Sequence, residues 1–429
     1  MITRLVLAEV VRAWRLWTST FVVMVLTAVV ALVCAGDVST AAGITDTVDA
    51  AGLRNHAMVF GAMNAIVVIG ALNVLVTFAI RVQRRTYALW QFGGLGPALI
   101  RRVVLAQAVT LSLVAFGTAL ALMPLTLRSL MAFLSAPLRN PGAPALDPRL
   151  GVLEAVTAFV VFELVVFLSA LGAARSASTT PALDAVREPE SEPARPSRGR
   201  KTTAWVLGGV TVTMYALTLL GARGVTMLFL VPAMGFVITV APWSCRALVS
   251  AWTAVLPGAP AAWFLARESL RYHVARSHSA IALLAVAMLL GSLTGLAGVW
   301  DSPAYYLGGL AIFGGPVLIV LFTGAATVVM TTMGRRRGVA LLVAAGGTFR
   351  TGLVAAVLEA VAVVVTAALI AVPLAIATIP AALTSWTDPL RPVPFVVAVG
   401  LVIMVVATTA PVLQARRRPL GPQLVDTGV

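Results

Sequence analysis

The sequence predicts an all-α polytopic membrane protein of about ten transmembrane helices arranged 4+2+4. Three observations predict it: a composition suited to lipid, ten apolar stretches of membrane-crossing length, and a Pro-rich charged run that divides the chain. Of the 429 residues, 60% are hydrophobic and 11% charged, with a mean hydropathy of +0.98. Soluble domains carry about 45–50% apolar and about 25% charged residues. Soluble, disordered and fibrous classes are therefore excluded.

A helix needs about 20 apolar residues to cross the hydrocarbon, because lipid offers the backbone amides and carbonyls no partner. Such stretches fall at roughly 18–36, 57–80, 102–125, 151–173, 204–222, 224–242, 279–300, 307–332, 352–377 and 394–414. Ahead of the first, Arg4, Arg12 and Arg15 share one side of a helix and Val6, Val10, Trp14 and Trp17 the other. This predicts an interfacial amphipathic helix over 1–17, retained and not cleaved as a leader. A first four-span unit then occupies 18–173, with an outer loop at 37–56. Residues 174–203 include PALDAVREPESEPARPSRGRKTT, which has almost nothing to bury and predicts a disordered cytoplasmic linker. A two-span hairpin, or a re-entrant pair, follows at 204–242 around the tight turn from Gly221 to Gly224. A cytoplasmic or interfacial segment at 243–278, a second four-span unit at 279–414 and a cytoplasmic tail at 415–429 complete the order.

The net charge of +15 is a matter of topology. The 31 basic residues are 30 arginines and Lys201, and 25 of them fall in the alternate set of segments that includes both termini. That bias places both termini in the cytoplasm and leaves no footprint for nucleic acid. Cys34 and Cys245 fall at opposite predicted faces, which argues against a disulfide between them.

Sliding the second half over the first at an offset of 252 sets RRTYALWQFGGLGP at 84–97 against RRGVALLVAAGGTF at 336–349. Identical pairs are Arg84/Arg336, Arg85/Arg337, Ala88/Ala340, Leu89/Leu341, Gly94/Gly346 and Ala108/Ala360, and the register brings Gln107 to Glu359. A shorter echo sets Glu9 and Arg12 against Glu268 and Arg271. Each loop begins basic, continues as a short apolar helix, ends at a glycine able to take the left-handed conformation, and restarts at Pro97 or Thr348.

On these residues the chain resembles the FtsX-like permeases of ABC transporters, a group that includes the ten-span bacitracin-type peptide-resistance permeases. The resemblance is carried by Arg84, Arg85, Ala88, Leu89 and Gly94 in the first loop and by Arg336, Arg337, Ala340, Leu341, Gly346 and Glu359 in the second half. Gln107 departs from the usual acid, and the large extracellular domain of such permeases is missing. The resemblance implies a multi-pass subunit of a bacterial cell membrane whose two loops dock on a separate cytoplasmic ABC ATPase, two copies per chain. It implies export or extraction of an amphiphile, such as a peptide antibiotic or lipid, without enzymatic activity in this chain.

Nothing in the sequence supplies the energy. The single lysine follows Gly199 and Arg200 with no phosphate-binding loop, so ATP and Mg would belong to the partner. His56, His273 and His278 lack metal-ligand spacing and read as interfacial, and no nucleophile stands at motif distance from a base. The expectation is no catalytic residue, no metal and no cofactor in this chain; its partners are the ATPase and membrane lipid.

The intramembrane polar residues are Asn64, Asn73, Gln107, Glu163 and Glu359. Glu163 falls in mid-span, where a charge costs about 2.5–3.5 kcal/mol on insertion scales. Glu154 projects to the opposite side, and either Asn64 or Asn73 is expected to hydrogen-bond Glu163 between helices. Gly291 and Gly295 form a packing GxxxG, and Pro124, Pro232, Pro316 and Pro373 mark kinks. Two rival readings stay open: a proton-coupled secondary transporter using Glu163, and a signalling scaffold that reports ATP state without transport.

Overall fold

The computed structural model describes residues 14–45, 47–135, 147–179, 198–220, 230–256, 260–296, 303–332, 341–382 and 390–416. Among them there are helices and turns and no strands. The helices are α1 (Trp14–Ala41), α2 (Thr47–Val82), α3 (Arg84–Phe92), α4 (Pro97–Ser135), α5 (Val152–Thr179), α6 (Arg198–Leu219), α7 (Leu230–Val255), α8 (Ala261–Leu296), α9 (Pro303–Thr332), α10 (Phe349–Ala382) and α11 (Val393–Arg416). Eight are long and apolar enough to cross a membrane: α1, α2, α4, α5, α6, α7, α10 and α11. Helix α8 would be a ninth if its two limbs, Ala261–Tyr272 and Ser277–Leu293, make one span; they meet at 96°. In α9 the apolar stretch Phe313–Val329 is shorter.

The chain divides into two compact units. The first comprises residues 1–190 and 297–323, the second 191–296 and 324–429. In the first unit α1 packs on α2, α4 and α5, α4 on α5, and α2 on α5. The interior is lined by fully buried small residues, among them Ala28, Ala71, Ala115, Ala119 and Ala170. Small side chains let helix backbones approach closely where lipid gives no hydrophobic drive to associate. The opposite side of α5, with Val152, Leu153, Val160 and Leu164, is exposed and apolar, as a lipid-facing surface requires.

In the second unit α8 packs on α7, α10 and α11, and α10 on α11. The order of pairing repeats that of the first unit: α8 with α10, α10 with α11 and α8 with α11 correspond to α1 with α4, α4 with α5 and α1 with α5. Residues 280–293 of α8 are all buried, so this helix is apolar all round for want of a lipid face. At Gly291 a Cβ would stand 2.7 Å from Val396 Cγ2, which makes it a packing glycine as its motif predicts. Helices α6 and α7 interlock through two glycines, Phe236 lying over Gly208 and Leu207 over Gly235, each 3.1 Å from where a Cβ would be.

Several boundaries differ from the sequence expectation. The outer loop expected at 37–56 is mostly helical, because α1 runs on to Ala41 and α2 starts at Thr47, with a turn at 42–43. Polar residues there, Asp37 and His56, look like loop residues in a linear reading but are buried against each other. Helix α7 runs on to Val255, past the expected end at 242, and passes through Pro242, while 221–229 lie outside the described residues. Proline lacks the N–H that would bond Ile238 O, and its ring pushes back the neighbouring carbonyl. Arg200 takes up both: Nε donates to Thr239 O at 3.0 Å and Nη2 to Ile238 O at 3.2 Å. Pro232, expected to kink, is the third residue of α7, where no helical bond is lost. Pro124 and Pro316 do lie inside their helices, and Pro373 falls within α10. The ends of the expected linker are helical, α5 continuing to Thr179 and α6 beginning at Arg198. Residues 180–197, most of the N-terminal amphipathic segment (1–13) and the tail from 417 lie outside the described residues.

Candidate functional site

The register-matched loops are the strongest candidate. In the first, α3 ends in a Schellman motif: Gly94 N–H donates to Gln91 O at 3.0 Å and Leu95 N–H reaches back to Trp90 O at 3.0 Å. Gly94 has φ +86°, the left-handed conformation that costs an L-residue about 1–2 kcal/mol and glycine nothing. In the second loop the chain is helical over 341–344 and ends the same way. Gly346 N–H donates to Val343 O at 3.0 Å, Gly347 N–H to Leu342 O at 2.9 Å, and Gly346 has φ +89°. Every donor and acceptor is displaced by 252 residues from its counterpart.

The helices that follow also begin in register. Pro97 is the first residue of α4, where its missing N–H is no loss, and Gly96 O accepts from Leu99 N–H at 3.0 Å. Phe349 opens α10, and Thr348 Oγ1 accepts from Thr351 N–H at 3.2 Å, the side-chain cap its sequence predicts.

Each loop turns an apolar residue outward at the same register. Leu89 is 58% exposed and Leu341 51%, and Phe92 adds a second exposed ring to the first loop. The inner side of α3 is anchored instead. Tyr87 and Ala88 are buried, and the Tyr87 hydroxyl donates to Gln83 Oε1 at 2.6 Å and lies 3.2 Å from Gln107 Oε1 on α4. An amide rotated end for end at Gln107 would donate to Tyr87 Oη and satisfy both groups. Gln107 thus ties the loop helix to the helix that follows it.

The matched residue Glu359 on α10 is also buried, and it accepts from Ser269 Oγ at 3.2 Å. Ser269 sits on the first limb of α8, ahead of the bend, whereas residues 243–255 of the interfacial segment expected at 243–278 belong to α7, a helix apolar enough to cross a membrane. Arg271 holds that limb to the end of α7 through Thr253 Oγ1 at 3.1 Å and Ser250 O at 3.2 Å, with Glu268 beside it. Trp252 Nε1 donates to Thr366 Oγ1 at 3.1 Å, joining α7 to α10 in the same layer.

Of the expected docking residues, Arg84 and Arg85 open α3, Ala88 is buried, and Leu89 and Gly94 are exposed. Leu341 and Gly346 are exposed likewise, whereas Arg336, Arg337 and Ala340 lie outside the described residues. The expected partner of Glu163 is overturned. Ser112 Oγ on α4 donates to Glu163 Oε2 at 2.8 Å, while Asn64 Nδ2 bonds Phe60 O in its own helix and Asn73 Oδ1 accepts from Thr77 one turn away. Ser112 is one of three scattered serines in α4, with Ser129 and Ser135, so no linear signal distinguished it from a helix-facing filler. The remaining intramembrane carboxylate contact is therefore a single interhelical bond of the kind that holds helices together. Among the described residues no group of three or more His, Cys, Asp or Glu side chains is placed to hold a metal ion. Compared with known proteins, the chain matches no family model and no curated sequence.

Proposed function

We propose that this chain is the membrane permease subunit of an ATP-driven transporter of the FtsX-like kind, with ten spans arranged as four, two and four. The observation that carries the reading is the pair of loop helices closed by the same Schellman hydrogen bonds at the same offset, each presenting an exposed leucine. A rigid helix end with an outward apolar side chain suits a protein partner, since such side chains anchor interfaces by filling pockets. Two such helices in one chain suit two copies of an ATPase subunit in the cytoplasm, which would hold ATP and Mg. Closure of that dimer would push on α3 and on 341–346, and so on α2, α4 and α10. Tyr87 with Gln107, and the Ser269–Glu359 contact, would keep the pushed ends from slipping. The substrate class proposed is an amphiphile taken from the membrane, such as a peptide antibiotic or lipid, and the site of action a bacterial plasma membrane.

The test is co-purification of the full chain with a co-expressed candidate ATPase, comparing wild type with Leu89→Asp/Leu341→Asp. The expected result is loss of the complex and of any stimulation of ATP turnover by membrane amphiphiles, with the permease still folded. A complex that survives both substitutions overturns the docking role.

A further inference from the structure

Asp37 and His56 lie in the first unit and take no part in the loop site. Asp37 is four residues before the end of α1 at Ala41, and His56 nine residues after the start of α2 at Thr47. His56 Nδ1 stands 2.8 Å from Asp37 Oδ2, and both side chains are 1% exposed. The imidazole stacks on Phe60 with ring centroids 5.0 Å apart, and Phe60 in turn fills the space over Gly315. Ala41, Ala50 and Leu53, with Ile44 against them, form an apolar cluster between the pair and the ends of the two helices. The second polar atoms, Asp37 Oδ1 and His56 Nε2, meet no hydrogen-bond partner.

The charge count is the informative quantity. A carboxylate beside a neutral imidazole carries one net negative charge. With one more proton the pair is neutral, either as carboxylate and imidazolium or as carboxylic acid and imidazole. An uncompensated charge in an apolar place is strongly disfavoured. Among the described residues, the other ionisable groups at this end are Cys34 one turn earlier on α1, Asp49 and Arg54 on α2, Arg128 on α4, the exposed Asp147–Arg149 pair before α5, and Glu154 on α5. None of them is bonded to Asp37 or His56. Among the described residues no counter-charge is bonded to the pair, and a proton is the compensation the pair itself can hold.

We propose that Asp37 and His56 form a proton-binding site that clamps α1 to α2. The pair holds one proton jointly and is neutral with it. Loss of that proton, or gain of a second, leaves one net charge, which draws water past the Ala41–Leu53 cluster and loosens the joint. The site takes a proton in place of a metal ion, since two side chains make no coordination sphere. It does not depend on the loops or on any ATPase.

The test uses the full chain in lipid bilayers, labelled with ¹⁵N at histidine. Only His56, His273 and His278 contribute, so His56→Gln assigns the signal. Solid-state NMR reads the ring and infrared spectroscopy reads the carboxyl. The expected result near neutral pH is either an imidazolium signature at His56 or a protonated-carboxyl band. Either one is lost in Asp37→Asn. Asparagine keeps an oxygen to accept from Nδ1–H, so this variant preserves the contact. A neutral His56 beside an ionised Asp37 overturns the proposal, as does a His56 titration that Asp37→Asn leaves unchanged. The clamp is read separately by hydrogen exchange over 37–56 in His56→Phe, corrected for intrinsic rates. Exchange several-fold faster than wild type that returns towards wild type in Asp37→Asn/His56→Phe, where no carboxyl is left to carry charge, supports the clamp. Protection in His56→Phe equal to that of wild type overturns it.

Discussion

Tyr87 shows how much one hydroxyl can fix. It is buried, it belongs to a nine-residue helix too short to be stable alone, and it meets Gln83 and Gln107, on either side of the loop helix. Replacing it with phenylalanine keeps the ring and strands two buried amides, which costs about 1–3 kcal/mol. The expected outcome for Tyr87→Phe is a loss of that size in denaturant unfolding, with faster hydrogen exchange confined to α3. Because the groups form one network, Tyr87→Phe/Gln107→Leu should cost less than the two single changes added together. Ser112 and Glu163 make the corresponding case within the membrane. A neutral Glu163→Gln can still accept from Ser112, and interhelical bonds of this kind average about 0.6 kcal/mol, so only a small stability change is expected in the same assay. Gln107 and Glu163 are visible in the sequence as polar residues in apolar runs. Their partners are not, because Tyr87 and Ser112 are chosen by which helices lie side by side.

Two devices repay attention at the scale of the element. The first is the positive-φ glycine that ends each loop helix. A Cβ on Gly94 or Gly346 would meet nothing within 4 Å, so the cost of substitution is purely conformational. Gly94→Ala and Gly346→Ala are expected to lose about 1–2 kcal/mol each, with asparagine milder because it tolerates the left-handed region. Thermal unfolding of the single variants checks this, and near-equal losses at the two positions would agree with the matched geometry. The second device is Arg200 over the gap that Pro242 opens in α7. Arg200→Leu strands two carbonyls, whereas in a Pro242→Ala background the restored N–H takes up Ile238 O. The cost of Arg200→Leu is therefore expected to fall from about 1–3 kcal/mol to less than half of that in the double-mutant cycle. The glycines were legible from the repeat and from glycine's backbone freedom. Pro242 was not, since a proline near a predicted boundary reads as an end of a helix until a guanidinium is seen to repair the break.

For the whole molecule, the first unit takes residues 297–323 from the second half of the chain, so the two halves of the sequence are not the two units of the structure. The sequence repeat nonetheless survives in the pairing of helices, α1, α4 and α5 among themselves as α8, α10 and α11 among themselves. A chain cut between residues 190 and 191 and expressed as two pieces should therefore co-purify. The first piece alone should lose stability, because it lacks the glycine face at Gly315 that covers Phe60 and Val30. Stable, separately folded pieces that do not associate would contradict the division. Composition and hydropathy by themselves determined the helical, membrane-crossing class, since backbone hydrogen bonding in lipid permits few alternatives. The repeat by itself determined where two helix-ending glycines fall, since a left-handed residue is a local requirement. Tertiary structure alone decided that Ser112 meets Glu163, that Arg200 mends α7, and that Asp37 and His56 leave the expected loop to face each other. Each of those pairs joins residues from different helices, and a linear pattern records which side of a helix a residue occupies but not what stands opposite.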